Sequence, residues 1–321
     1  MSDNSVITKA SQNFLPLVSV VIPIYNGETD LPDLLDCLLL QTYPQDKVEY
    51  LLVDNNSSDR TFSILQTATE KFSNLLPLTE NNIQSSYAAR NAGIKGANGE
   101  IIAFTDADCR PQPQWLNKLI QPFVNPEVAI VAGEITALPG NSLLEKFADK
   151  QETLSQKHTL ANKFCPYGQT ANLAIRRNIF NISGLFRPYL TTGGDADICW
   201  RILKQNLGKL EFAPDAIVEH RHRLTITELA SQWRRYGRSN LYLHELHGVE
   251  LAREMKNKDY SYILLRWLLK EVPKQTVKNI IGKSSFVDLV NTPLSLFTGR
   301  ERSKGQRDAK LPENAKMIEW L

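Results

Sequence analysis

The chain has 321 residues, enough for one large core or two modest ones, and its 42% hydrophobic and 22% charged residues are ordinary for a globular protein. A net charge of +2 gives no support to a nucleic-acid partner, and the four cysteines (Cys37, Cys109, Cys165, Cys199) show no paired metal spacing. No stretch reaches the roughly 18 uninterrupted apolar residues of a membrane span. Scattered thiols and a polar Met1–Phe14 without a signal-peptide core point to a reducing, cytoplasmic setting, with residues 1–15 expected as a flexible N-terminus.

In chain order, Leu17-Val18-Ser19-Val20-Val21-Ile22-Pro23 is a β-branched run closed by proline and predicts a first strand. Thr29 to Gln41 sets Leu31, Leu34, Leu35, Leu38 and Leu39 at helical spacing. Tyr50 to Val53 predicts a second buried strand. The polar cluster Asp54-Asn55-Asn56-Ser57-Ser58 after it has turn and N-cap chemistry, and a helix is expected over Asp59 to Phe72. A weak strand near Leu75 to Leu78 precedes a small-residue helix over Ser85 to Ala97. The apolar residues Ile102 to Phe104 predict the next strand, with Cys109-Arg110-Pro111 breaking the chain beyond it. A helix near Gln114 to Phe123 and a strand over Val128 to Ile135 complete the first half. This β-α alternation predicts a mostly parallel sheet with helices on both faces.

The second half is less regular. Helices are expected over Leu143 to Leu160, Asp195 to Asn206 and Thr225 to Leu246, and strands over Gln169 to Ile175 and Phe212 to Glu219. Beyond Gly248 the composition changes: Tyr262 to Leu269 begins an amphipathic stretch, and Arg300 to Lys310 is basic and polar.

The most pointed motif is Asp106-Ala107-Asp108, at the C-terminal end of a buried strand, where open α/β sheets bind ligands. Mg²⁺ and Mn²⁺ prefer carboxylate oxygen and bridge proteins to substrate phosphates, so the pair suggests a metal-bound diphosphate. The alternative is two solvated loop carboxylates. The turn Pro23-Ile24-Tyr25-Asn26-Gly27-Glu28 holds a single glycine, and no G-x-x-x-x-G-K-[ST] is present. Both observations disfavour dehydrogenase and NTPase readings and leave a metal as the phosphate partner.

Four segments in order resemble glycosyltransferase family 2: Val20-Val21-Ile22-Pro23-Ile24-Tyr25-Asn26, Val53-Asp54-Asn55-Asn56-Ser57-Ser58-Asp59-Arg60-Thr61, Ala89-Arg90-Asn91-Ala92-Gly93 and Asp106-Ala107-Asp108. The resemblance covers residues 17 to 245. It implies an α/β GT-A fold, a Rossmann-like mixed and mostly parallel sheet flanked by helices. It also implies a nucleotide-sugar donor, Mn²⁺ or Mg²⁺, and inversion at the anomeric carbon. Asp54 is assigned to the uracil of a UDP-sugar, with a helix N-cap as the alternative. Pro23, Tyr25 and Asn26 would shape the loop around base and ribose. Arg90 offers the donor fork suited to diphosphate, with an ion pair to a motif aspartate as the alternative. Asp108 becomes the direct metal ligand and Asp106 a contact to donor ribose or sugar. His220, in Val218-Glu219-His220-Arg221-His222, takes the place of a third metal or phosphate contact, with His222 as the alternative.

An acceptor hydroxyl needs a base. Gly193-Gly194-Asp195-Ala196-Asp197 resembles the family's Glu-Asp-x-Asp segment, with Gly194 standing where glutamate is usual. Asp195 keeps the position of the expected base, and Asp197 is expected on the acceptor side. The missing glutamate is expected to lower the base's pKa and to open space for a bulkier acceptor. Gln232-Trp233-Arg234-Arg235-Tyr236 resembles the Q-x-x-R-W motif of processive members, with Arg235 on the diphosphate and Tyr236 against a sugar; an exposed helix face is the alternative.

The expected organisation is a catalytic domain over 16–247 and a helical C-terminal extension over 248–321. That extension either packs on the catalytic domain or lies in a membrane interface, and in the second case the protein sits peripherally at the inner face of the plasma membrane. The expected function is metal-dependent, inverting, single-addition transfer from a UDP-sugar to a hydroxyl of a glycan or lipid-linked acceptor. Its rivals are a sugar nucleotidylyltransferase and a non-catalytic carbohydrate-binding scaffold.

Overall fold

The computed structural model describes residues 14–321. Most of the expected flexible N-terminus lies outside the described residues. Eight strands form one sheet in the order β3-β2-β1-β4-β7-β6-β8-β5. β1 (Val18–Ile24), β2 (Val48–Asp54), β3 (Leu75–Thr79) and β4 (Ile101–Phe104) are mutually parallel. β7 (Leu173–Arg176) runs antiparallel to both β4 and β6 (Val128–Ala137). β8 (Lys209–His220) is parallel to β6, and the short β5 (Cys109–Pro111) pairs antiparallel with the end of β8. β1 and β4 are buried along their whole length, as strands covered on both faces must be.

β5 carries no sequence signal. Three residues ending in proline look like a chain break, and the pairing that makes them a strand comes from β8, about a hundred residues away in sequence.

Around the sheet, α1 (Leu31–Leu39) buries Leu31, Leu34, Leu35 and Leu38, while Leu39 turns to solvent. α2 covers Thr61–Ala68 and α3 Ser86–Gly96, the latter capped by Ser85, whose hydroxyl accepts from the Tyr87 amide. α4 is Trp115–Ile120. The single helix expected over Leu143 to Leu160 is two: α5 (Leu143–Lys150) and α6 (Gln156–Leu160). Glu152 between them adopts a left-handed φ of 47°. Glu134 of β6 accepts from both the Ser155 hydroxyl and the Gln156 amide, which fixes a new helix start. α7 (Phe180–Ser183) and α8 (Gly194–Lys204) follow.

The chain divides into two compact units. The first takes the chain up to Leu138, Leu154–Arg221 and Pro312–Leu321, and holds the sheet. The second takes Pro139–Thr153 and His222–Leu311. This division does not coincide with the sequence-based boundary at 247/248, because α9 (Ile226–His247) packs along α12 (Phe286–Asp308). A Cβ on Gly237 would lie 1.8 Å from the Arg302 carbonyl, and one on Gly305 would lie 2.0 Å from the Arg234 carbonyl. Reciprocal glycines therefore let the two helix backbones touch. Between them α10 (Asn257–Arg266), a π-turn (Trp267–Glu271) and α11 (Val272–Ile280) form one continuous helical run. No helix among the described residues is long and apolar enough to cross a membrane.

Candidate active site

β1 lies between β2 and β4, so the strand order reverses there. In open α/β sheets such a reversal opens a crevice beyond the strand ends. Parallel register puts Ile24 opposite Asp54, and Phe104 ends beside β1 two residues before Asp106. A pocket of about 310 Å³ opens at this edge, lined by Pro23, Ile24, Tyr25, Asn55, Gln84, Ser85, Ser86 and Thr191. That volume suits a nucleoside-sized group. Tyr25 is exposed at the rim. Asn26 turns away from the lining: its amide donates to the Ser57 hydroxyl, and its side-chain oxygen accepts from the Ser58 amide at 2.8 Å. It ties the loop after β1 to the loop after β2. Asp54 is buried and accepts from the Ser57 amide at 3.3 Å.

Arg90 projects from α3 and donates to Asp106 at 2.5 Å, the guanidinium almost wholly buried and the carboxylate partly open. The ion pair to a motif aspartate, one of the two readings of Arg90, is therefore formed. Asp108 faces His220, with Oδ1 3.3 Å from Nε2. The antiparallel pairing of β5 with β8 creates this contact, since it sets Cys109 opposite His220. Asp108, Cys109 and His220 each present one ligand atom, all within 4.8 Å of one another. His222 falls in the second compact unit. Burial raises the Cys109 thiol far above its ordinary value, and both aspartates add to that. Beside it, Asp108 and His220 offer a carboxylate and an imidazole. That pair fits a hard-to-borderline divalent ion, and Asp108 and His220 would be the residues to hold it.

Asp195 stands in the first turn of α8 and accepts from the Thr170 hydroxyl at 2.9 Å. Burial raises its carboxyl above the usual carboxylate range. Arg90 and Thr170 pull against that, and Asp106 pushes with it. The net direction is upward, with burial the largest influence. The space expected at Gly194 is also filled. Tyr87 donates no room: a Cβ on Gly194 would lie 2.6 Å from its ring, and its hydroxyl accepts from the Gly194 amide at 2.9 Å. Tyr87 stacks on Phe186 and lies under the Arg90 guanidinium, so one ring positions both Arg90 and the start of α8.

Asp197, expected on the acceptor side, is instead fully buried. It accepts from Arg187 at 2.9 Å and from Arg201, one turn on, at 3.0 Å. Two residues along a helix is a rotation of about 200°, so Asp195 and Asp197 cannot share a face. Asn172, just before β7, is likewise a core hub: it accepts from the Trp115 indole and donates to the Glu134 and Ala216 carbonyls. Tyr87 escapes sequence reading, because a helical aromatic carries no motif, and nothing along the chain marks Thr170 as the partner of Asp195.

In the second unit, Arg235 is exposed and lines a pocket of about 220 Å³ with Arg223, Glu228, Ser231 and Gln232. Tyr236 packs edge-on against Trp233, and its hydroxyl accepts from Gln232.

Among solved structures, the chain matches mannosyltransferase PcManGT from Pyrobaculum calidifontis, in complex with GDP-Man and Mn²⁺. The TM-score is 0.64 at 16% identity, over 95% of this chain and 94% of that one. Glucosyl-3-phosphoglycerate synthase from Mycobacterium tuberculosis, in complex with Mn²⁺, UDP and phosphoglyceric acid, matches with a TM-score of 0.53 at 19% identity, over 77% and 83% of the two chains. The fold is that of the GT-A glycosyltransferases. The model of glycosyl transferase family 2 matches residues 19–189, and glycosyltransferase AglE of Haloferax volcanii is 34% identical over 258 residues, covering 79% of this chain and 81% of that protein. The chain belongs to glycosyl transferase family 2 and is a glycosyltransferase. A pre-mycofactocin glycosyltransferase of Mycobacterium tuberculosis is 26% identical over 228 residues, and the match spans 46% of that longer protein. The nucleotidylyltransferase and scaffold readings lapse.

Proposed function

We propose that the protein transfers one sugar from a nucleoside-diphosphate sugar, in the first place a UDP-sugar, to a hydroxyl of a glycan or lipid-linked acceptor with inversion, in glycan or glycolipid synthesis. The observation that carries this reading is the chain of contacts along the sheet edge. Asp108 meets His220, Arg90 meets Asp106, and both members of that second pair act electrostatically on Asp195. Pro23 and Tyr25 line the pocket beside them.

In this reading the base and ribose occupy the pocket after β1, and Asp54 accepts from a ring N–H of the base. Arg90 holds the diphosphate, and Asp106 contacts the donor ribose or sugar. Asp195 takes the proton of the acceptor hydroxyl as its oxygen bonds to the anomeric carbon. The bond from that carbon to the diphosphate oxygen breaks, and the nucleoside diphosphate leaves with the electron pair. Asp108 and His220 would hold Mn²⁺ or Mg²⁺, which would supply positive charge toward the leaving group. A raised pKa strengthens Asp195 as a base, provided the pH keeps it ionised.

Both uracil and guanine present a ring N–H to Asp54, so the test is a thermal-shift panel of UDP- and GDP-sugars with and without Mn²⁺. A ligand that binds only the folded state raises the melting temperature. A Mn²⁺-dependent rise with a UDP-sugar is expected. A rise with GDP-mannose alone reassigns the base, and no rise with any nucleotide sinks the donor reading. Mass spectrometry of the product then counts sugars added per acceptor, one being expected.

A further inference from the structure

The helical run from Asn257 to Ile280 contains no fully buried residue. Tyr262, Leu265, Leu268, Leu269, Val277 and Ile280 are each more than half exposed. A helix normally turns such residues to a core. The Trp267 indole donates to the Leu289 carbonyl at 2.8 Å, which fixes the run to α12 on its other side. Leu265, Leu269 and Val277 recur at multiples of four, and one residue further on Arg266, Lys270, Lys274 and Lys278 form a parallel basic row. Rows of residues four apart are the ridges of a helix surface, so an apolar ridge and a cationic ridge lie side by side. From Asn257 to Lys283 there are six basic residues against two acidic ones, Asp259 and Glu271, and Glu271 is engaged by Arg266.

We propose that this helical run is a docking surface for an anionic lipid bilayer, lying in the plane of the interface. The apolar ridge enters the acyl boundary and the neighbouring lysines reach anionic headgroups, the arrangement by which interfacial helices bind membranes. Charge selects this occupant. A second copy of the chain would bring the same net-positive segment against itself, whereas an anionic surface complements it. The run is too polar to span the bilayer, so it lies on the surface. This inference does not depend on the donor or the base assigned above.

The test is sedimentation of the full-length protein with vesicles of phosphatidylcholine alone and of phosphatidylcholine mixed with phosphatidylglycerol. Binding to the anionic vesicles is expected, weakening as salt rises. The triple variant Lys270→Glu/Lys274→Glu/Lys278→Glu should lower partitioning by roughly 100-fold, since each basic residue near an anionic surface contributes about fivefold and the reversal adds to that. Leu265→Asp/Leu269→Asp/Ile280→Asp should abolish binding. None of these positions is buried, Lys278 being half-buried and the others exposed, so the circular dichroism melt should be unchanged in both variants. Wild-type protein left in the supernatant at low salt overturns the proposal. So does binding indifferent to the lysine changes, or a dimer in sedimentation equilibrium that the apolar variant dissolves while vesicles go unbound. Donor-induced thermal shifts measured on the same samples keep the two readings separate, because failure of vesicle binding leaves them intact.

Discussion

The tripeptide Asp-Ala-Asp occurs twice in this chain, at 106–108 and at 195–197, and the two copies have different fates. At 106–108 the backbone has just left β4, and both carboxylates stay partly open, one held by Arg90 and the other facing His220. At 195–197 the same residues enter a helix. The rotation sends Asp195 toward Thr170 and drives Asp197 into the core between two arginines. Spacing alone therefore assigns no role to a carboxylate pair; the backbone conformation it sits on does.

The sharpest way to break this comparison is at Asp197. Asp197→Ala strands Arg201, whose burial already pushes its pKa down against the pull of Asp197, and should cost about 3–5 kcal/mol, read as a lower urea midpoint. A midpoint shift under about 1 kcal/mol would return Asp197 to the list of site residues. Asp108→Ala should lower metal-dependent turnover by about 1000-fold, or ~4 kcal/mol of barrier, with the urea midpoint nearly unchanged. Unchanged turnover would leave the 106–108 copy a solvated loop.

Asp195→Asn should cut kcat by about 100-fold or more while nucleotide-sugar thermal shifts persist. The sign of its stability effect is opposite to that at Asp197. The folded-state carboxyl of Asp195 titrates above its ordinary value, so its ionised form costs stability once pH exceeds the folded-state pKa. Asp195→Asn should therefore melt no lower than wild type at neutral pH, and the difference should close as pH falls below the ordinary carboxylate range. The same upward shift in the free enzyme places the acidic limb of the kcat/KM profile above the range of a solvated aspartate. The smallest effect is at the neighbouring glycine: Gly194→Ala forces its Cβ against the Tyr87 ring and should cost about 1–3 kcal/mol, measured by thermal melt. A neutral Gly194→Ala would mean that Tyr87 yields, and that the space expected for a bulkier acceptor exists after all.

Much of the fold was legible because its parallel strands are local, continuous apolar runs. β1, β2 and β4 need no partner to be recognised, and α1 displays its leucine stripe openly. The elements that escaped are those made by non-local contacts. β5 exists only through β8, and the break between α5 and α6 depends on Glu134 accepting from Ser155 and Gln156. The same holds at the candidate site. Asp54, Asp106 and Asp108 stand out at strand ends, but Thr170 and Tyr87 matter only through what they touch.

By itself the sequence determined the sheet-forming pattern, the order of the family motifs and the amphipathic run after Gly248, because apolar periodicity and residue chemistry are written along the chain. Only the tertiary structure decided that both aspartates of 106–108 stay partly open while Asp197 is buried between two arginines, that Tyr87 closes the space beside Gly194, and that α9 joins the C-terminal helices. Those outcomes turn on burial and on partners distant in sequence, and the free energy of a charged or polar side chain is set by its surroundings in three dimensions.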